Sequence, residues 1–189
     1  MLVLDKENFL ENTDINEDDF IKLSLSPDKK LVPDLHNKLP GKSIWVSTNR
    51  ALMKDILEAE EVKMHFGVSQ LFTKDLVFLV QKILRKKILN AISLSKKAGY
   101  LAIGLDTIKT QSIEKKHCLV VVAKNAKSLK NYPFFSSTYI SCFENLLYQK
   151  DLEKSTGKNK VKYVGILSKN FKKTIQADLN KLKGFMETD

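Results

Sequence analysis

The chain has 189 residues, 43% of them hydrophobic, with 32 Lys and Arg against 22 Asp and Glu and a net charge of +10. That is enough apolar material for one medium domain or two small ones with buried cores, and it excludes a disordered chain. The charge is divided unevenly: residues 1–60 carry 8 basic and 12 acidic side chains, net −4, while residues 61–189 carry 24 and 10, net +14.

In chain order, the opening MLVLDKENFLENTD has neither a basic n-region nor a long apolar run, so it does not read as a signal peptide. IKLSLS and KLV alternate like strands on either side of a turn at Asp28-Lys29-Lys30, which predicts a hairpin. Pro33, Pro40 and Gly41 punctuate a loop, and SIWVS is a third strand. Ile44 and Val46 share one face of it, leaving Trp45 on the other, packed on the following helix or free to stack on a base. Thr48 and Asn49 suit the cap of a helix from Arg50 to Glu61, with Leu52, Ile56 and Leu57 on one face. Residues 62–73 show no clear period and read as a linker or hinge.

Helical spacing resumes from Thr73, a candidate cap, to Ala98, as one helix or as two broken near Arg85-Lys86-Lys87. Lys96, Lys97 and Gly99 form a stop signal. YLAIG is a short strand, Asp106 or Thr107 opens a helix to about Lys116, and HCLVVVA is a buried strand. One helix and one strand are expected in 124–150, the strand at Thr138–Cys142 or Glu144–Tyr148. A short helix from Asp151 to Thr156 stops at Gly157, KVKYVGIL is a strand, and a last helix runs from Asn170 to Phe185. The fold class is therefore α/β: a small N-terminal α/β domain, then a three-layer α-β-α sandwich with a mixed sheet.

No GxSxG, HExxH or GxxxxGK[ST] is present, and His36, His65 and His117 stand apart. Acidic runs such as Glu17-Asp18-Asp19 read as solvated helix starts. Cys118 and Cys142 lie in apolar stretches, which suits a reduced compartment. No window reaches the ~18 apolar residues of a membrane span. The expectation is a cytoplasmic, monomeric, non-enzymatic protein with no cofactor, no metal and no small-molecule substrate. Its binding features are basic. Lys96 and Lys97 end one helix, Gly104 leads into the next with Thr107 and Lys109, and Lys124, Asn125, Lys127 and Lys130 follow the buried strand. Backbone N–H groups at a helix start beside lysines suit phosphates.

Two stretches carry resemblances. LSPDKKLVPDLHNKLPGKSIWVSTNRALMKDILEA resembles the bacterial YlxR family, whose core reads as a turn, V-P-D-L, K-L-P-G-R-G, an aromatic in a strand and a helix. LNAISLSKKAGYLAIGLDTIK, LVVVAKNAKS and KDLEKSTGKNKVKYVGIL are similar to the kink-turn-binding ribosomal proteins of the archaeal "L-seven-A-e" type. Their order resembles a fused bacterial RNA-binding protein, with domains at 1–61 and 76–189 and a linker at 62–75. The resemblance implies binding of structured RNA, ribosomal or another folded non-coding RNA. It implies contacts from Pro40, Gly41, Lys42 and Ser43, with Lys38, Trp45 and Arg50 beside them. In the second domain it implies Gly104, Leu105, Asp106, Thr107 and Lys109, then Lys124, Asn125, Ala126 and Lys127. Where the kink-turn family carries Asn-Glu after the glycine, this chain has Leu105-Asp106, and P-G-R-G has become P-G-K-S. A protein-interaction adaptor, or a DNA-associated regulatory protein with degenerate RNA-binding loops, is the alternative.

Overall fold

The computed structural model describes residues 2–3, 19–70, 75–115, 118–136 and 139–186. The expected cap at Thr73, the helix end at Lys116, His117 and the acidic run before Asp19 lie outside them. The chain is mixed α/β and divides into two compact units, Met1–Ile83 with Asn180–Asp189, and Leu84–Leu179.

In the first unit β1 (Leu2–Val3), β2 (Phe20–Leu25), β3 (Leu31–Pro33) and β4 (Ser43–Ser47) form an antiparallel sheet of order β1-β4-β2-β3. The hairpin turn closes where Ser26 N–H donates to Lys30 O at 2.8 Å, with Lys29 in the left-handed region at φ 58. α1 (Arg50–Glu58) starts as the sequence predicts: Asn49 Oδ1 accepts from Ala51 N–H at 2.9 Å, an N-cap bond. The helix ends earlier than expected. Ala59 is extended, and a second helix, α2 (Glu60–Phe66), occupies part of the stretch that has no legible period. Its seven residues are too few to show one. Its two buried side chains, Val62 and Phe66, stand i, i+4, and left-handed Gly67 closes it. Asn180–Asp189 return to this unit. Gln81 Nε2 donates to Phe185 O at 2.7 Å, and a Cβ on Gly184 would collide with Thr48 O.

α3 (Leu76–Lys97) is one continuous helix, not two. Arg and Lys are good helix formers, and the buried stripe Leu84, Ile88, Ile92 passes through the basic triplet without a change of phase. Lys87 Nζ pairs with buried Asp178 Oδ1 at 2.9 Å, joining α3 to α6 (Lys169–Gly184). The second unit's sheet comprises β5 (Leu101–Ile103), β6 (Cys118–Ala123), β7 (Ile140–Leu147) and β8 (Tyr163–Ile166), in the order β5-β8-β6-β7. Only β6 and β7 are parallel, so the sheet is mixed. β7 spans most of both stretches left open in the sequence, and the expected helix there is a short 3-10 turn at Pro133–Ser136.

Every residue of β6 is buried, so both faces of the sheet are covered. On one face Cys118, Val120 and Val122 pack with Ala102, Leu129, Phe135 and Ile108 of α4 (Leu105–Lys115). Gly165 of β8 lets α4 approach: an added Cβ would meet Ile108 Cγ1 at 2.9 Å and Cγ2 at 3.2 Å. Gly165→Ala is therefore expected to cost about 1–3 kcal/mol by overpacking. A clear drop in the thermal midpoint checks it, and an unchanged midpoint would refute it. Among the described residues no helix is long and apolar enough to cross a membrane.

Candidate nucleic-acid interface

The registers decide which loops meet in the second unit. β5 and β6 both run antiparallel to β8, and β7 runs parallel to β6. The C-terminal ends of β5, β6 and β7 and the N-terminal start of β8 therefore lie at one end of the sheet. β5 delivers Gly104 there, β6 delivers the loop from Lys124 to Tyr132, and β7 delivers Tyr148 and α5 (Gln149–Thr156). The loop from Gly157 to Lys162 arrives there before β8.

Hydrogen bonds tie these segments together. Gly104 N–H donates to Tyr163 O at 3.1 Å, Ala123 N–H to Lys162 O at 2.9 Å and Lys124 N–H to Leu147 O at 2.8 Å. Tyr163 Oη donates to Lys127 O at 2.9 Å, so one tyrosine bridges the Gly104 turn and the loop after β6. Gly104 has φ 90, a conformation that favours glycine, and its carbonyl accepts from Ile108 N–H at 3.0 Å. The helix thus opens at Leu105, one or two residues before the expected start at Asp106 or Thr107. Asn125 is left-handed at φ 66, and asparagine tolerates that region.

Lysines crowd this end. Lys109 Nζ and Lys127 Nζ lie 6.0 and 5.6 Å from the centroid of one ring, Tyr132. Lys124 Nζ lies 4.6 Å from the ring of Tyr148. These are cation–π distances, and they orient ammonium groups without neutralising them. Lys158, Lys160 and Lys162 are exposed on the adjoining loop, and their alternation in GKNKVK was a signal that the sequence reading missed.

Two neighbouring carboxylates are engaged within the chain. Glu144 of β7 accepts from Ser128 Oγ and Leu129 N–H, both at 2.7 Å, and so fixes the loop that carries Lys127 and Lys130. Glu153 Oε1 accepts from Gln149 Nε2 at 2.8 Å and Lys160 N–H at 2.7 Å. The Gln149 amide, with the Lys160 and Val161 N–H groups, holds that carboxyl below its ordinary range. Asp106 and Thr107 are exposed in the first turn of α4.

Other expected site residues have different surroundings. Lys96 Nζ donates to Thr156 O, a carbonyl at the C-terminal end of α5, and exposed Lys97 follows it. Both precede β5, whose other end carries Gly104. In the first unit Trp45 is 8% exposed, so it is part of the core and offers no free face to a base. Lys42 Nζ donates to His65 O at 2.9 Å, and His65 Nε2 lies 3.2 Å from Ser43 O, so α2 holds the PGKS loop. Lys38, Pro40 and Gly41 are exposed. Arg50 lines a 540 Å³ cavity with Leu57, Glu58, Asp75, Phe78 and Gln81.

Cys118 and Cys142 are free thiols. Burial pushes the Cys118 thiol up to about 11, against the opposing pull of Lys172, so it is not a thiolate at neutral pH. Among the described residues no group of three or more His, Cys, Asp or Glu could hold a metal ion.

No family model matches the chain, and no curated protein matches it. A solved structure titled as a protein with unknown function from Bacillus halodurans C covers 50% of this chain and 97% of its own, with 18% identity and a TM-score of 0.45. Similarity at that level bears on neither fold nor function.

Proposed function

We propose that the chain is a non-enzymatic, cytoplasmic, monomeric binder of structured RNA, gripping it with the Gly104 end of the second unit's sheet. One observation carries the reading: four segments meet at that end, and they bring Lys109, Lys124, Lys127, Lys158, Lys160 and Lys162 with them. Residues 84–179 hold 19 Lys and Arg against 6 Asp and Glu, net +13, so the field around this surface is positive. The resemblance to kink-turn-binding ribosomal proteins supports the same surface, since Gly104, Lys109, Lys124, Asn125 and Lys127 belong to it.

The first unit is the minor contributor in this reading. Its YlxR-like loop offers Lys38 and Lys42, but Trp45 is enclosed and Lys42 already has an acceptor. Affinity from lysine–phosphate contacts falls steeply with salt. Gel shift of the full chain on a folded RNA and on sequence-matched duplex DNA, across salt concentrations, tests the proposal. Tighter binding to the folded RNA is expected. Equal binding to both would refute RNA selectivity, and no binding to either would leave the adaptor reading in its place. Crosslinking to RNA in cells then names the RNA.

A further inference from the structure

Tyr148 is exposed where exposure and position both need explaining. It is 49% accessible and stands between β7 and α5, as the N-cap residue of that helix. Tyrosine is a poor choice there. Ser, Thr, Asn and Asp cap by accepting from the first-turn N–H groups, whereas Tyr148 makes no side-chain cap bond. Capping does not account for it, and neither does burial.

A break in the β-ladder sets its place. Val122 pairs with Glu144, but Ala123 pairs with Leu147, so two residues of β7 are extruded between them. Asn145, one of the two, is left-handed at φ 64. Bulges of this kind re-aim the side chains that follow. Here the shift lets Lys124 N–H reach Leu147 O at 2.8 Å and brings Lys124 Nζ to 4.6 Å from the Tyr148 ring. The result is an exposed aromatic ring with a cation at its face, at the sheet end that carries the other lysines.

We propose that Tyr148 is a stacking platform for an unpaired base, with Lys124 holding the adjacent phosphate. The inference rests on the RNA reading above and narrows it: the target carries a bulged or looped-out nucleotide, because a base inside a continuous duplex has no free face to offer.

The test uses the full chain and two RNA hairpins of equal length, one fully paired and one with a two-nucleotide bulge containing 2-aminopurine. Tyr148→Ser removes the ring but supplies a capping hydroxyl to α5, and its thermal midpoint is measured beside that of the unsubstituted chain to show that it is folded. It is expected to lower affinity for the bulged hairpin about tenfold, to leave the paired hairpin unaffected, and to abolish the quenching of 2-aminopurine. Tyr148→Phe keeps the platform and the affinity. If Tyr148→Ser binds the bulged hairpin as the unsubstituted chain does, the platform is refuted while RNA binding stands. If the unsubstituted chain binds neither hairpin, both are refuted.

Discussion

Replacing Lys109 and Lys127 together by glutamate should reduce affinity for folded RNA at least a hundredfold and flatten its salt dependence. The two ammonium groups flank one ring, Tyr132, from two different segments. The loop that presents Lys127 is fixed by Glu144 and by Tyr163. Little conformational freedom is therefore left to lose on binding, and each contact delivers more of its Coulomb gain. Substituting both by alanine removes two phosphate contacts and should lower the slope of log affinity against log salt by about 2. Reversal to glutamate adds repulsion.

The control must separate the surface from the total charge. Lys169 and Lys173 are exposed on α6, which follows the opposite end of β8. Their reversal changes the net charge equally and should weaken binding only modestly. If it weakens binding as much as the Lys109 and Lys127 pair does, the chain binds by net charge and the Gly104 end is not the site.

Much of each unit was legible from local residue patterns. The hairpin and β4 follow from alternation, the buried stripe of α6 from a repeat of 3.6 residues, and β6 from an unbroken apolar run too short for a helix. The candidate site was only half legible. Gly104, Lys109, Lys124, Asn125 and Lys127 lie on segments that the chain order already placed beside one strand each. Lys158, Lys160, Lys162, Tyr132 and Tyr148 join them through the sheet order β5-β8-β6-β7, and no periodicity encodes a sheet order. The two residues extruded at Asn145 are invisible for the same reason. Lys96 shows the reverse case: its acceptor, Thr156 O, is sixty residues away in sequence. From sequence it reads as a free cation.

The stretch V-P-D-L that carries the YlxR resemblance has a structural duty, and removing its carboxylate should destabilise the first unit. Asp34 is 4% exposed. Its Oδ1 accepts from Lys38 N–H at 3.0 Å, and its Oδ2 accepts from Leu39 N–H at 3.0 Å and from Lys22 Nζ at 3.1 Å. One carboxylate thus pins the start of the loop that leads to Pro40, Gly41 and Lys42. Asp34→Ala strips two amides and an ammonium of their acceptor, an expected loss of about 2–3 kcal/mol. Asp34→Asn should do little better, since its amide nitrogen would face a donor wherever it turned. Burial alone would raise the Asp34 pKa, but the two amides and the Lys22 ammonium outweigh it, and the carboxyl is held below its ordinary value. A depressed folded value means that the charge-dependent stabilisation is complete above the unfolded carboxyl pKa of about 4 and vanishes as pH falls through the folded one. The gap between the unsubstituted chain and Asp34→Ala should therefore be full at pH 7 and smaller at pH 3. Trp45, the chain's one tryptophan, is buried in the same sheet, and its register partner on β2 is Lys22. Its fluorescence during denaturant unfolding reports this unit alone, so an equal gap at both pH values would show that Asp34 acts through packing and not through its charge.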